Sequence, residues 1–445
     1  MNKNTISILP ALVLMFSPQT SQAGSATWKS NPVDSDWNNP SNWTPATVPN
    51  GPNDVATFGV SNTTGVTISA PIQLNGIVFS PGSSAYSISA PGGFSLSLSG
   101  SGVVNNSGVS QTLTAMGDGA GGTITFTGVA SAADATLIGN GATASGGGAG
   151  AVEFAGSSTA GSATLIANSG QVTGAAGGVI RFLDNATGGT SRVITLGDGE
   201  LDTSASAIHD VTVGSIEGNG VITIGGGDFN TLEVGSNSRN CEFKGLIRDS
   251  AAPNVYGGTL LKLGSGTLTL GHANVYTGFT LIEEGTLLVN NKYGSGTGYS
   301  AVQVDAGTLG GTGYLLNGAT VGSPTRPATL APGRGDRPGR LTLGGVAFNR
   351  HTTFRINIDT TTSTASELLS LNVTIAGGHI TLVDRGGLTL SVGTVLTVID
   401  NYGTNPISGN FLNLRDGATI TAGSNTFQAN YEGGDGNDLT LTVVP

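Results

Sequence analysis

Cysteine is nearly absent: the chain of 445 residues holds one, Cys241. No disulfide can close within the chain, and no multi-cysteine metal site can form. Cys241 is read as a small buried residue. Charge is scarce as well. Only 10% of residues are charged, with 17 Lys plus Arg against 28 Asp plus Glu and a net charge of −11. That balance excludes a nucleic-acid partner, which needs a basic face to neutralise phosphates. The low charge also excludes a coiled coil or long-helix protein. Beyond residue 23 no stretch approaches 18 apolar residues, so no transmembrane segment is expected in the mature chain. No window combines a 3.6-residue apolar period with helix caps. The four histidines, His209, His272, His351 and His379, are dispersed without metal-ligand spacing, and neither G-x-S-x-G nor H-E-x-x-H occurs. No catalytic, cofactor-binding or metal-ligating set is therefore assigned.

What the chain does have is small residues. Gly, Thr and Ser number 73, 56 and 43, together 172 of 445. Glycine does not recur every third residue, so this is not collagen. With 37% hydrophobic residues and little charge, disorder is disfavoured. The first 23 residues read as an export signal. Lys3 supplies a basic start, Ile6 to Phe16 is mostly apolar, and Ser21-Gln22-Ala23 places small residues at the cleavage site. Cleavage is expected after Ala23, with the mature protein exported to the periplasm, the outer surface or beyond.

Three segments superpose without a gap at a spacing of 28 residues. Gly122-Thr123-Ile124-Thr125-Phe126 matches Gly150-Ala151-Val152-Glu153-Phe154 and Gly178-Val179-Ile180-Arg181-Phe182. Thirteen residues into each repeat, Ala135-Thr136-Leu137-Ile138 matches Ala163-Thr164-Leu165-Ile166 and Ser191-Arg192-Val193-Ile194. The alternation within each segment is the period-2 signature of a strand with one buried face. Evenly spaced short strands with small-residue bends predict an all-β protein, a parallel β-solenoid forming one elongated domain with terminal caps. Equivalent residues then stand above one another, and stacked like charges repel, which accounts for the low charge. Phe126, Phe154 and Phe182 are expected to form an internal ladder. At 25–28 residues per coil the mature chain would make roughly 15–17 coils, a rod on the order of 70–80 Å.

The organisation follows. Residues 24–75 read as an N-terminal cap containing Trp28, Trp37 and Trp43. Residues 76–322 read as the β-helix, with the 28-residue repeats at 122–205 and a further repeat at 258–289. Residues 323–340, with four Pro and four Arg, read as an exposed loop. Residues 341–445 read as further coils and a C-terminal cap.

In the second repeat, Gly266-Thr267-Leu268-Thr269-Leu270, Asn274-Val275-Tyr276-Thr277-Gly278 and Gly285-Thr286-Leu287-Leu288-Val289 resemble the autotransporter-associated β-strand repeat. Phe279 and Glu283-Glu284 depart from its usual small or polar residues. Similarity continues at Gly307 to Gly313, at Leu330-Ala331-Pro332-Gly333, at Gly433 to Asp438 and around the three tryptophans. The resemblance implies a secreted, right-handed parallel β-helix of the passenger type, with no assigned catalytic residues. The barrel of at least eight strands that carries such passengers is not read in this sequence, nor is a sorting signal.

Several motifs have a rival functional reading. A β-helical polysaccharide lyase or hydrolase would need clustered carboxylates. In the 28-residue register Glu153 falls between Thr125 and Arg181, Asp184 aligns with Gly128 and Gly156, and Asp134 aligns with Ser162 and Thr190, so no column holds two acids. Glu283 and Glu284 are expected at a bend before Gly285. Gly117 to Gly122 matches G-x-G-x-x-G but precedes a strand, which rejects a dinucleotide site. Gly433-Gly434-Asp435-Gly436-Asn437-Asp438 resembles one calcium-binding nonapeptide, a motif that works in stacked series; a polar turn is the reading preferred. The tryptophans are expected to cap the first coil and not to form a sugar platform. Arg334-Gly335-Asp336 is an exposed tripeptide of a kind that adhesion receptors recognise. The sequence thus leads to a non-catalytic structural, spacer or adhesion-like rod, with glycans or cell-surface components as partners. The alternative is a carbohydrate-active β-helix.

Overall fold

The computed structural model describes residues 24–225, 230–250 and 257–445; the expected export signal lies outside them. Among the described residues the architecture is a parallel β-solenoid whose one helical element is a turn of 3-10 helix at Pro40–Asn42. Four sheets among the described residues carry the coils. Face one has eleven strands and runs from Ala26–Trp28 to Leu246–Asp249. Face two has fifteen strands, from Gly65–Thr67 to His379–Asp384. Face three has nine, from Asp210–Val213 to Ser408–Gly409. Face two runs through most of the solenoid, faces one and three overlap between residues 210 and 249, and the fourth sheet adds the parallel rungs Tyr314–Leu315, Arg340–Leu343, Glu367–Ser370 and Val395–Asn401.

The predicted register is the observed one. Thr136, Thr164 and Arg192 pair in succession on face two, and Thr123, Ala151 and Val179 do so on face one. Each of these strands buries its second and fourth residues. Phe126, Phe154 and Phe182 are fully buried and stacked, with centroids 5.0 Å apart and ring planes within 14° and 9° of parallel. Each such contact contributes about 0.5–1.5 kcal/mol beyond area burial. The glycine before each strand has a steric cause. A Cβ on Gly150 would lie 2.0 Å from the Ala115 carbonyl oxygen, and one on Gly178 would lie 1.9 Å from that of Gly139.

Three expectations need correction. First, face two contains fourteen parallel rungs, since one of its fifteen strands, Thr364–Ala365, is antiparallel. At ~4.8 Å per rung the solenoid is roughly 60 Å long, shorter than expected. The reason is that the chain leaves the stack at both ends. At the start Trp43–Thr44 runs antiparallel to the first rung, Ala26–Trp28, and at the end Asp438–Val444, Asn425–Gly433 and Thr419–Ala422 add in antiparallel order to Val395–Asn401, in a sheet whose earlier strands are parallel. Alternation alone does not reveal strand direction. Second, residues 323–340 are not one exposed loop. Ala328–Pro332 is a strand of face two, paired with Gly307–Gly311 and Thr352–Asp359, and Leu330 is fully buried. Pro327 precedes it and Pro332 ends it, positions where a missing N–H is tolerated. Third, Cys241 is half-buried.

Candidate functional surface

The outward columns determine what the rod presents. Thr267, Thr286, Thr308, Thr329 and Thr353 pair in succession on face two, and each is half-buried. This is a file of hydroxyls at ~4.8 Å spacing. Several of the charges on these columns form ion pairs between rungs. Glu153 stands between Thr125 and Arg181 and pairs with Arg181 at 2.8 Å. Arg192 takes Glu217 on the next rung through Nε at 2.7 Å. Arg248 reaches Glu200 at 3.2 Å. The Arg192 guanidinium holds the Glu217 carboxyl below its ordinary value. Such pairs are partly exposed, and each contributes about 0–1 kcal/mol. Their larger effect is to let charge exist in a stack that forbids like neighbours.

The repeat residues at 258–289 prove to be structural. Asn274 is buried. Its Oδ1 accepts the Ile247 N–H at 2.8 Å from the coil before, and its Nδ2 donates to the Gly296 carbonyl at 2.6 Å in the coil after. Tyr276 is fully buried, with its hydroxyl 2.5 Å from Thr280 Oγ1. Thr277 donates through its backbone N–H and its hydroxyl to Asp249 Oδ2. A Cβ on Gly278 would lie 2.5 Å from the Gly258 carbonyl oxygen. Lys262, 2% exposed, donates from Nζ to three carbonyls, those of Leu263, Gly264 and Glu284. Burial pushes its ammonium pKa down. Sequence reading missed Lys262, because a lone lysine in an apolar strand carries no pattern. Glu283 and Glu284 lie at the bend before Gly285, as expected.

The other singled-out residues fall as follows. Trp28, Trp37 and Trp43 are at most 2% exposed, and all three indole N–H groups donate to backbone carbonyls, of Thr63, Pro49 and Trp37 respectively. Their rings pack edge-on at 4.9–5.0 Å and against Phe58. They close the first coil and leave no face or donor for a sugar. Gly433 to Asp438 turns a hairpin, and Asp438 Oδ1 accepts the Asn401 N–H at 2.9 Å. No group of three metal-ligating side chains exists among the described residues. Arg334, Gly335 and Asp336 are exposed, but their ends are engaged separately. Arg334 Nε donates to Thr312 Oγ1 at 3.3 Å, and Asp336 pairs with Arg385 at 3.3 Å.

The structure does assemble one carboxylate pair that the readable register could not show. The Asp400 carboxyl is pushed up by burial and by the negative charge of Glu367 nearby. Arg340 opposes the shift, holding Glu367 through two hydrogen bonds of 2.9 Å. Only the pairing of Glu367–Ser370 with Val395–Asn401 brings these acids together across more than thirty residues.

A groove of about 560 Å³ lies at the corner that follows face two. The strands Cys241–Phe243, Thr267–Leu270, Thr286–Val289 and Ala328–Pro332 deliver Lys244, His272, Lys292 with Tyr293, and Arg334 to its walls. The coils here vary in length, and the longer loop after Val289 forms one wall.

Residues 260–289 match the family model for the passenger-associated-transport-repeat. No curated protein matches the chain. Among the described residues no helix is long and apolar enough to cross a membrane. The repeat and the solenoid that carries it fit an autotransporter-passenger β-helix repeat protein, of the kind that is secreted or surface-exposed.

Proposed function

We propose that the chain is an exported, non-catalytic rod that acts through its extended surface as a spacer or adhesion-like element, with glycans or cell-surface components as partners. The observation that carries this reading is the outward surface. Its columns are stacked hydroxyls and ion pairs between rungs, and the residues of the recognisable repeat are consumed in holding coil to coil. A rod presenting many similar side chains gains avidity when displayed in numbers. The test is cell fractionation with surface proteolysis of the intact protein, joined to N-terminal sequencing. Export with a new N-terminus at Gly24 and retention on glycan-coated surfaces are expected. Retention of Met1 in a cytoplasmic protein would overturn the reading.

One observation favours a second reading, a polysaccharide lyase or hydrolase: the Glu367–Asp400 pair beside Arg340. Two neighbouring carboxyls, one with its pKa raised, are the arrangement that acid–base cleavage uses. Depolymerisation of acidic or neutral polysaccharides, with and without Ca²⁺, that is abolished by Asp400→Asn or Glu367→Gln would establish it. Unchanged polymer length with the wild-type chain sinks it.

A further inference from the structure

We propose that the groove at the face-two corner is a binding site for a short acidic saccharide, one bearing carboxylate or sulfate groups. The proposal rests on the reading that the rod acts through its surface, and it assigns one place and one ligand chemistry to that action.

Charge is the first argument. Lys244, Lys292 and Arg334 line the groove, with Glu242 as the acid beside them, paired to Lys244 at 2.9 Å. Three cations less one anion leave +2, on a chain whose net charge is −11. Elsewhere on the rod Arg181, Arg192, Arg248 and Arg340 are each matched to a glutamate. Among the described residues Lys292 and Arg334 have no such partner, so their charge is available to a ligand.

Shape is the second. Tyr293 is 82% exposed at the groove wall, the most exposed aromatic face among the described residues. An exposed planar face beside polar groups suits the apolar side of a pyranose ring. Asn290 and the imidazole of His272 offer hydrogen bonds to hydroxyls; His272 Nδ1 is already engaged with the Ala273 carbonyl at 2.7 Å, which leaves Nε2 for a ligand. The volume falls within the ~300–1,000 Å³ of ligand pockets.

Preorganisation is the third. The turn carrying Lys292 and Tyr293 is held from beneath by Asn291, which is buried. Its Nδ2 donates to the carbonyls of Tyr293 and Gly294 at 2.9 and 3.1 Å, and its Oδ1 accepts the Tyr314 N–H at 2.9 Å. On the far wall Asn290 Oδ1 accepts the Thr312 N–H at 3.0 Å, and Thr312 in turn receives Arg334 Nε. Three coils are thus cross-linked around the groove, and a ligand would not have to order these loops on binding.

The experiment is calorimetric titration of an oligogalacturonate, and of its neutral methyl ester, into the intact exported chain. Binding of the acid form that weakens with salt is expected. Tyr293→Ala and Lys292→Ala, both at the exposed tip, should each weaken it roughly tenfold or more, the loss typical of a binding anchor. Arg181→Ala, on face one, should leave it unchanged. Absence of binding, or binding indifferent to both tip variants, overturns the proposal. So does tip-dependent binding of single-stranded DNA or anionic vesicles in place of the saccharide. If the rod still adheres to glycan surfaces with the tip variants, the groove assignment fails and the surface reading stands. If tip-dependent titration succeeds but the rod adheres to no surface, the reverse holds.

Discussion

The 28-residue coils and the shorter coils that follow Gly258 solve the same stacking problem differently. Between Thr136 and Arg192 the spacing is constant, and the core column is three parallel phenylalanines. From Thr267 the rungs fall 19, 22, 21 and 24 residues apart, yet the threonine column stays in register. There the inequality is absorbed at the corner by buried side chains, Asn274, Asn291 and Lys262, which bond to Ile247, Tyr314 and Glu284 of neighbouring turns. Constant coils rest on apolar alternation, glycine bends and ties between equivalent residues, as where Asn168 Nδ2 donates to Asn140 Oδ1 at 2.8 Å. Variable coils need polar ties, and the loops so tied are what shape a groove.

This contrast can be tested by removing a whole coil from each region. Deleting residues 136–163 joins equivalent positions and should leave a folded rod with a cooperative melt, because each coil contacts mainly its neighbours. Deleting residues 286–307 removes Asn291 and the turn to which Asn274 is tied, and should cause the larger loss of stability, read by circular dichroism on heating. If both deletions melt alike, the contrast is wrong. Next in size is Phe154→Ala, which should cost about 3–5 kcal/mol in urea unfolding, as buried Phe truncations do. Lys262→Met should cost roughly 2–3 kcal/mol, by stranding three carbonyls that the ammonium now satisfies. A neutral effect would show that the corner does not depend on that tie.

Smaller effects belong to the outward columns. Glu217 has a folded pKa held below the ordinary value of 4.5 by Arg192. Its contribution is therefore present above 4.5 and lost as pH falls through the lower folded value. Glu217→Gln should cost at most about 1 kcal/mol at neutral pH and nothing once both proteins are below that window; denaturant midpoints at two pH values decide it. Smallest is Thr308→Val, which should stay within ~0.5 kcal/mol. A larger change would mean that the threonine file contributes to stability and not only to the surface.

How far the sequence could be read follows the same division. The 28-residue register, the phenylalanine ladder and the tryptophan cap were legible, because a fixed period repeats the same physical demand at the same place. The strand Ala328–Pro332 was obscured by the prolines and arginines around it, although Ala-Thr-Leu-Ala alternates like its neighbours. The antiparallel end was unreadable, since a strand's side-chain period is the same in either direction. The Glu367–Asp400 pair and the groove walls come from residues far apart in sequence, joined only by rung-to-rung pairing across coils of unequal length.

The hydrogen bonds between rungs also fix how the rod carries load. They lie along its axis, so a pull between the Trp-capped end and the antiparallel end loads them in tension and not in shear. Coils would then peel one at a time. Each 28-residue coil would release about 90 Å of chain, and each shorter coil beyond Gly258 proportionally less. The molecule would lengthen in steps whose size reports which region is opening, giving the rod a graded extension in place of a single breaking point.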